Sequence, residues 1–186
     1  MFPDRAIREA VWPTNGARPT VYVPACRAEF GPIHESQIQP VSLDVRLGPD
    51  FIRHPSGEEV GLDPHFTLTL QPGQCVLGNL VERFRMGSDN VVARVEGKSS
   101  WARRFLTVHA AGLIDPGFCG DITLELKNDG HSPIQLTPGV PIAQVTFQFL
   151  AAPVDRLYGD WGLNSHYQNQ EGATPAWNSA RNGETH

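Results

Sequence analysis

The chain has 186 residues, 15 basic and 20 acidic side chains, a formal net charge of −5 and 40% hydrophobic residues. That length suits one domain with a real core rather than two. The acidic balance excludes a general nucleic-acid or membrane-surface binder, which needs a basic surplus. The 18 glycines and 16 prolines favour short strands joined by tight turns over a helical bundle. Cys26, Cys75 and Cys119 are an odd set without close spacing, which argues against a disulfide framework and against a CxxC metal site. Met1-Phe2-Pro3-Asp4-Arg5 lacks a basic segment followed by an apolar run, and no apolar stretch approaches the roughly 18 residues of a membrane span. The expected location is a reducing cytoplasm.

Pro3 and Asp4 signal the start of a short helix over Asp4 to Val11, with Ala6, Ile7, Ala10 and Val11 on its apolar side. Val21-Tyr22-Val23 reads as a short strand in an otherwise irregular stretch. From Val41 the period becomes two: Val41, Leu43, Val45 and Leu47 alternate with Ser42, Asp44 and Arg46, predicting a strand that ends at Gly48-Pro49. Phe66, Leu68 and Leu70 alternate again before a turn at Gln71-Pro72-Gly73-Gln74. Cys75 to Leu80, Asn90 to Glu96, Ile122 to Leu126, Ile134 to Leu136 and Ile142 to Leu150 complete the predicted strands. A second Pro-Gly pair at Pro138-Gly139 suggests a second hairpin and related halves of a meander or jelly roll. The expected class is all-β. From Tyr158 the chain is rich in Gly, Asn, Ser and Gln, and reads as a disordered tail or as an arm that orders on a partner or ligand.

Three places carry candidate chemistry. A zinc deaminase would show His-x-Glu followed by Pro-Cys-x-x-Cys, and neither is present, so no zinc is expected. Glu96-Gly97-Lys98-Ser99-Ser100 places a glycine, a cation and two hydroxyls together, which suits a phosphate cradle or a capped surface turn. It is not a P-loop, because Val92 stands where that motif needs its first glycine. Asp115, before Pro116-Gly117, is a turn-initiating residue or a pocket carboxylate. Glu125 lies on the polar face of an apolar strand, facing either solvent or a cavity lined by Thr123.

Together these pieces resemble the dCTP deaminases of the dUTPase-like superfamily. The resemblance runs from Gln39-Pro40-x-Ser42-x-Asp44-Val45-Arg46-Leu47 through Gly97-Lys98-Ser99-Ser100-x-x-Arg103. It continues in Ala111-Gly112-x-Ile114-Asp115-Pro116-Gly117-Phe118-x-Gly120-x-Ile122-Thr123-Leu124-Glu125 and Tyr167-Gln168-x-Gln170-x-Gly172-x-Thr174-Pro175. It implies a distorted β-barrel or jelly roll over 1–157 and a C-terminal arm over 158–186 that closes on the nucleotide, the last residues disordered. It also implies a homotrimer with shared sites and substrates dCTP and dUTP, with dTTP an inhibitor of some members. Magnesium would travel on the triphosphate, with no protein metal site.

By the same resemblance Lys98, Ser99 and Ser100 hold the triphosphate, while Ser99 and Arg103 position the attacking water. Asp115 meets the deoxyribose, Phe118 packs on the sugar, and Ala111 joins them in binding substrate. Tyr158, His166, Tyr167 and Gln170 belong to the arm. Glu125 takes the place of the proton shuttle. The wording Ala111 to Asp115 and the interval from Tyr158 to His166, immediately before Tyr167, resemble the bifunctional group that continues to dUMP. Trp101-Ala102, Phe105 and His166 depart from it, His166 standing where a phosphate-binding lysine is usual. A pure dUTPase, with an apolar residue at position 125, and a non-enzymatic nucleotide-binding regulator on the same fold are the alternatives.

Overall fold

The computed structural model describes residues 1–13, 21–22, 28–61, 63, 65–109 and 112–177. The predicted Val23, Cys26 and Ala111, and the end of the arm over 178–186, lie outside them. Helix α1 (Asp4–Val11) buries Ile7, Ala10 and Val11, as its apolar spacing requires. Eleven strands are described in chain order: β1 (Val21–Tyr22), β2 (Leu43–Arg53), β3 (Glu59–Gly61), β4 (Leu68–Leu70), β5 (Cys75–Met86) and β6 (Val91–Gly97). After the single-turn helix α2 (Ser99–Ala102) come β7 (Leu106–His109), β8 (Leu113–Ile114), β9 (Cys119–Asn128), β10 (Ile134–Leu136) and β11 (Pro141–Phe149).

The main sheet runs β7-β9-β5-β2-β11-β6-β8, with β1 added on β5 and β3 on β2. All its pairings are antiparallel. Although β6 and β7 lie far apart in this order, a Cβ at Gly97 of β6 would sit 3.4 Å from Val108 of β7. The sheet therefore curls back on itself as a distorted barrel. Leu43, Leu47, Phe51, Leu124, Leu126 and Phe147 fill its inside and are almost wholly shielded from solvent. The expected all-β class is observed.

Three expectations are corrected. Strand β2 does not stop at Gly48-Pro49 but continues to Arg53. The pairing of β2 with β5 shifts register between Leu47 and Phe51, and proline is tolerated at such an irregularity. A Cβ at Gly48 would lie 2.4 Å from Asn79 Oδ1, the atom that accepts the Asp50 N–H at 3.0 Å. Glycine here makes room for the side chain that bridges the irregularity. Val41 and Phe66, expected in strands, are exposed outside them.

The two Pro-Gly turns are not hairpins. Strands β4 and β10 pair with each other in a separate two-stranded sheet, Ile134 opposite Leu70 and Leu136 opposite Leu68. Each turn is a corner through which the chain passes from the small sheet into the large one. The halves are related in this corner and not through a meander.

Beneath the outer strands lies a buried ion pair. Glu82, only 1% exposed, accepts from the Arg46 backbone N–H and from Arg46 Nε, both at 2.7 Å, and from Gln37 Nε2 at 3.0 Å. The Arg46 guanidinium also donates to the carbonyls of Phe30 and Gly31, tying the entry loop to β2.

Candidate active site

The site grows from the alternation of β9. Leu124, Leu126 and Asn128 point inward, so Thr123, Glu125 and Lys127 point out. Strand register then sets a row across four strands: Ile52 of β2, Leu77 of β5, Glu125 of β9 and His109 of β7. A pocket of about 500 Å³ opens over Ile52, Leu77 and Glu125. Its walls are the 53–57 segment, strand β8 with the Asp115 turn, and the arm through Tyr158, Tyr167, Gln170 and Thr174 to Ala176. Glu125 thus faces a cavity that includes Thr123, the second of its two sequence readings.

The Asp115 turn closes through Phe118 N–H to Asp115 O at 3.1 Å, with Gly117 at φ +90°, a left-handed conformation that favours glycine. Asp115 itself is exposed toward the pocket, and Phe118 is buried with its ring edge-on to Tyr158 at 5.6 Å. The arm lies along β9 through backbone bonds, Asn169 N–H to Cys119 O at 2.6 Å and Asp121 N–H to Gln170 O at 3.0 Å. Farther along, the Thr174 N–H donates to Thr123 Oγ1 at 3.0 Å. The segment that composition reads as a tail or an arm is ordered over 158–177, its polar groups completing a strand edge.

The structure therefore brings Asp115, Phe118, Glu125, Tyr158, Tyr167 and Gln170 to one pocket. It does not bring Lys98, Ser99, Ser100, Arg103 or His166 there. Ser99 and Ser100 open α2, exposed, with Lys98 at its N-cap position making no side-chain cap. Lys98 Nζ instead meets Asp44 Oδ2 at 2.5 Å, and the other Asp44 oxygen is buried with no hydrogen-bond partner among the described residues. Trp101 donates from Nε1 to Pro141 O at 2.8 Å, which pins α2 to the start of β11, and carries the Arg104 guanidinium over its ring. His166 stacks on Trp177 with centroids 3.9 Å apart, away from the pocket lining.

Two neighbours of the site have roles that sequence reading does not assign. His109 stands directly across from Glu125, a relation that only the β7–β9 register reveals. Next along this face Lys127 and Asp129 pair at 2.6 Å. That hydrogen bond, helped by Thr107, holds the Asp129 carboxyl below its ordinary range and raises Lys127. Gln168 links the arm to the Asp115 turn through its side-chain amide.

Residues 22–150 match the family model described as dCTP deaminase-like. The chain is 44% identical over 154 residues to a dCTP deaminase of Haloarcula marismortui, covering 73% of this chain and 78% of that protein. It is 38% identical over 176 residues to a protein of Beutenbergia cavernae named dCTP deaminase, dUMP-forming, covering 86% and 91%. Among solved structures, the 2'-deoxycytidine 5'-triphosphate deaminase of Agrobacterium tumefaciens shares the fold, with a TM-score of 0.63 and 21% identity. That match covers 78% of this chain and 45% of the other. The Staphylococcus bacteriophage 80alpha dUTPase shares it with a TM-score of 0.54 and 13% identity, over 77% and 99%. With its curled sheet, its carboxylate pocket and these relatives, the chain belongs to the dCTP deaminase-like family.

Proposed function

We propose that the protein deaminates dCTP to dUTP and ammonia and then hydrolyses dUTP to dUMP and pyrophosphate. One observation carries the reading: two carboxylates, Glu125 and Asp115, open onto one largely apolar pocket of a size that suits a nucleoside. The names of relatives from Halobacterium salinarum and Beutenbergia cavernae, dCTP deaminase, dUMP-forming, support it. A pure dUTP pyrophosphatase gives no task to a carboxyl at position 125, whereas deamination requires one.

Cytosine C4 is a poor electrophile until N3 is protonated, and water is a poor nucleophile until it loses a proton. Glu125 serves both needs by taking the proton from water and delivering it to N3, then assisting the departure of ammonia. Phe118 and the arm hold the sugar, and Tyr158, Tyr167 and Gln170 keep bulk water away while the base reacts. Asp115 orients a second water toward the α-phosphorus, a step governed chiefly by positioning. Among the described residues no three His, Cys, Asp or Glu side chains come together to hold a metal ion. Magnesium would ride on the triphosphate, where it neutralises phosphate charge. Asp115→Asn is expected to lower pyrophosphate release by about 10²-fold or more with ammonia release retained. Anion-exchange chromatography would then find dUTP accumulating, and persistent dUMP would remove Asp115 from this role.

Lys98, Ser99, Ser100 and Arg103 stand outside the pocket of their own chain, so the described lining of that pocket lacks the triphosphate cradle that the resemblance implies. The reading that completes it is a homotrimer in which each cradle serves a neighbouring subunit's pocket. Light scattering is expected to give a particle near three times 20.4 kDa. An active monomer would contradict the shared site.

A further inference from the structure

Among the ties that hold the arm to the body of the protein, two stand at separate places and run through side chains. One is a charged node around Asp121. Arg83 Nη1 donates to Asp121 Oδ1 at 3.2 Å and to Gln170 O at 3.3 Å, and the Gly172 N–H donates to Asp121 Oδ2 at 2.8 Å. The other tie is the single amide of Gln168. Its Oε1 accepts the Cys119 N–H at 2.9 Å, while its Nε2 donates to Gly117 O at 3.0 Å and to Tyr158 O at 3.3 Å. One side chain thus joins the turn, the start of β9 and the beginning of the arm.

The surroundings are shaped to this amide. A Cβ at Gly159 would fall 2.8 Å from Gln168 Nε2, and one at Gly117 would fall 2.6 Å from Leu157 Cβ and 3.0 Å from the Tyr158 backbone nitrogen. Turn and arm meet backbone to backbone, with the Gln168 amide bridging their carbonyls. The turn so held carries Asp115 and Phe118, two of the pocket's walls.

We propose that Gln168 is a positioning residue through which the seated arm fixes the Asp115–Phe118 turn, and with it the preference of the pocket for deoxyribose over ribose. The sugar preference rests on the dCTP reading; the mechanical coupling does not. If the bridge is lost, the turn retains Phe118 N–H to Asp115 O and Gly117 N–H to Met86 O, both 3.1 Å, and the Tyr158 N–H to Pro116 O bond at 2.8 Å, but loses its side-chain link to the distal part of the arm around Gln168. Glu125, on the neighbouring strand, keeps its own backbone pairing with Leu77 and His109. Binding should therefore suffer more than chemistry.

The test compares the full-length wild type with Gln168→Leu, and with Gln168→Glu, which keeps the shape but turns an oxygen toward the two carbonyls. Hydrogen exchange in the unliganded protein should quicken about 10-fold at the Phe118 and Cys119 amides, the loss of roughly one net hydrogen bond. The Asn169 and Gly172 amides, bonded to Cys119 O and Asp121 Oδ2, should keep their protection. Kinetics with dCTP and CTP should show KM for dCTP raised about 10-fold, kcat changed far less, and a reduced dCTP-to-CTP preference. Unchanged exchange at Phe118 and Cys119, or protection lost equally at Asn169 and Gly172, would overturn the coupling. Quickened exchange with an intact dCTP-to-CTP preference would overturn the specificity role. A wild type that neither binds nor converts dCTP would instead defeat the substrate reading, and the exchange comparison would still decide the coupling.

Discussion

Replacing Glu125 by glutamine is expected to cut ammonia release from dCTP by about 10²–10⁴-fold, the usual contribution of a positioned general acid–base group. Glutamine keeps the size of the side chain and removes its ability to take up a proton from water. The fold gives no reason for a wider effect. Glu125 is exposed on the outer face of β9, and the core side of that strand is filled by Leu124 and Leu126. A substitution at such a position usually changes stability by no more than about 0.5 kcal/mol. Nucleotide affinity, measured by calorimetry, should therefore survive while the ammonia assay collapses. Near-normal ammonia release from the variant would remove Glu125 from the reaction.

The second large effect concerns stability. Arg46→Ala would leave Glu82 almost wholly buried and, among the described residues, bonded to Gln37 and a backbone N–H. Breaking a buried pair from one side costs about 3–5 kcal/mol, because the remaining charge loses its partner and stays out of water. Chemical denaturation should show that loss as a lower midpoint with a similar slope. The double variant Arg46→Met with Glu82→Leu, which removes both charges, should recover most of it. A single variant as stable as the wild type would mean that water reaches Glu82 and that the pair is not closed off. The exposed pair of Arg8 with Glu35 offers a contrast, since surface ion pairs add little.

Much of this architecture is legible in the residues themselves. The helix over Asp4 to Val11 follows from four apolar positions on one side, β9 from alternation and β11 from its apolar run. The end of β2 is not legible, because Gly48-Pro49 reads as a stop unless Asn79, 31 positions later, is known to fill the space beside it. The Pro-Gly corners mislead for a similar reason: local chemistry specifies a turn, while the partner of each short strand is set by a distant one.

The same division holds at the site. Asp115, Phe118 and Glu125 are marked by their motif, and the fold gathers them at one pocket. His109 carries no local signature, and Gln168 stands in the arm motif with no role legible there. The first is placed by strand register and the second by two bonds to the distant Gly117–Cys119 segment and one within the arm. His166 occupies a recognisable motif position, yet its ring stacks on Trp177, a contact set by the path of the arm.

The measurement that tests the central claim most directly is the product analysis of dCTP incubated with the wild-type protein and magnesium, by anion-exchange chromatography with a parallel ammonia assay. The account predicts ammonia, dUMP and pyrophosphate in equal amounts. Unchanged dCTP, or pyrophosphate released without ammonia, would contradict it.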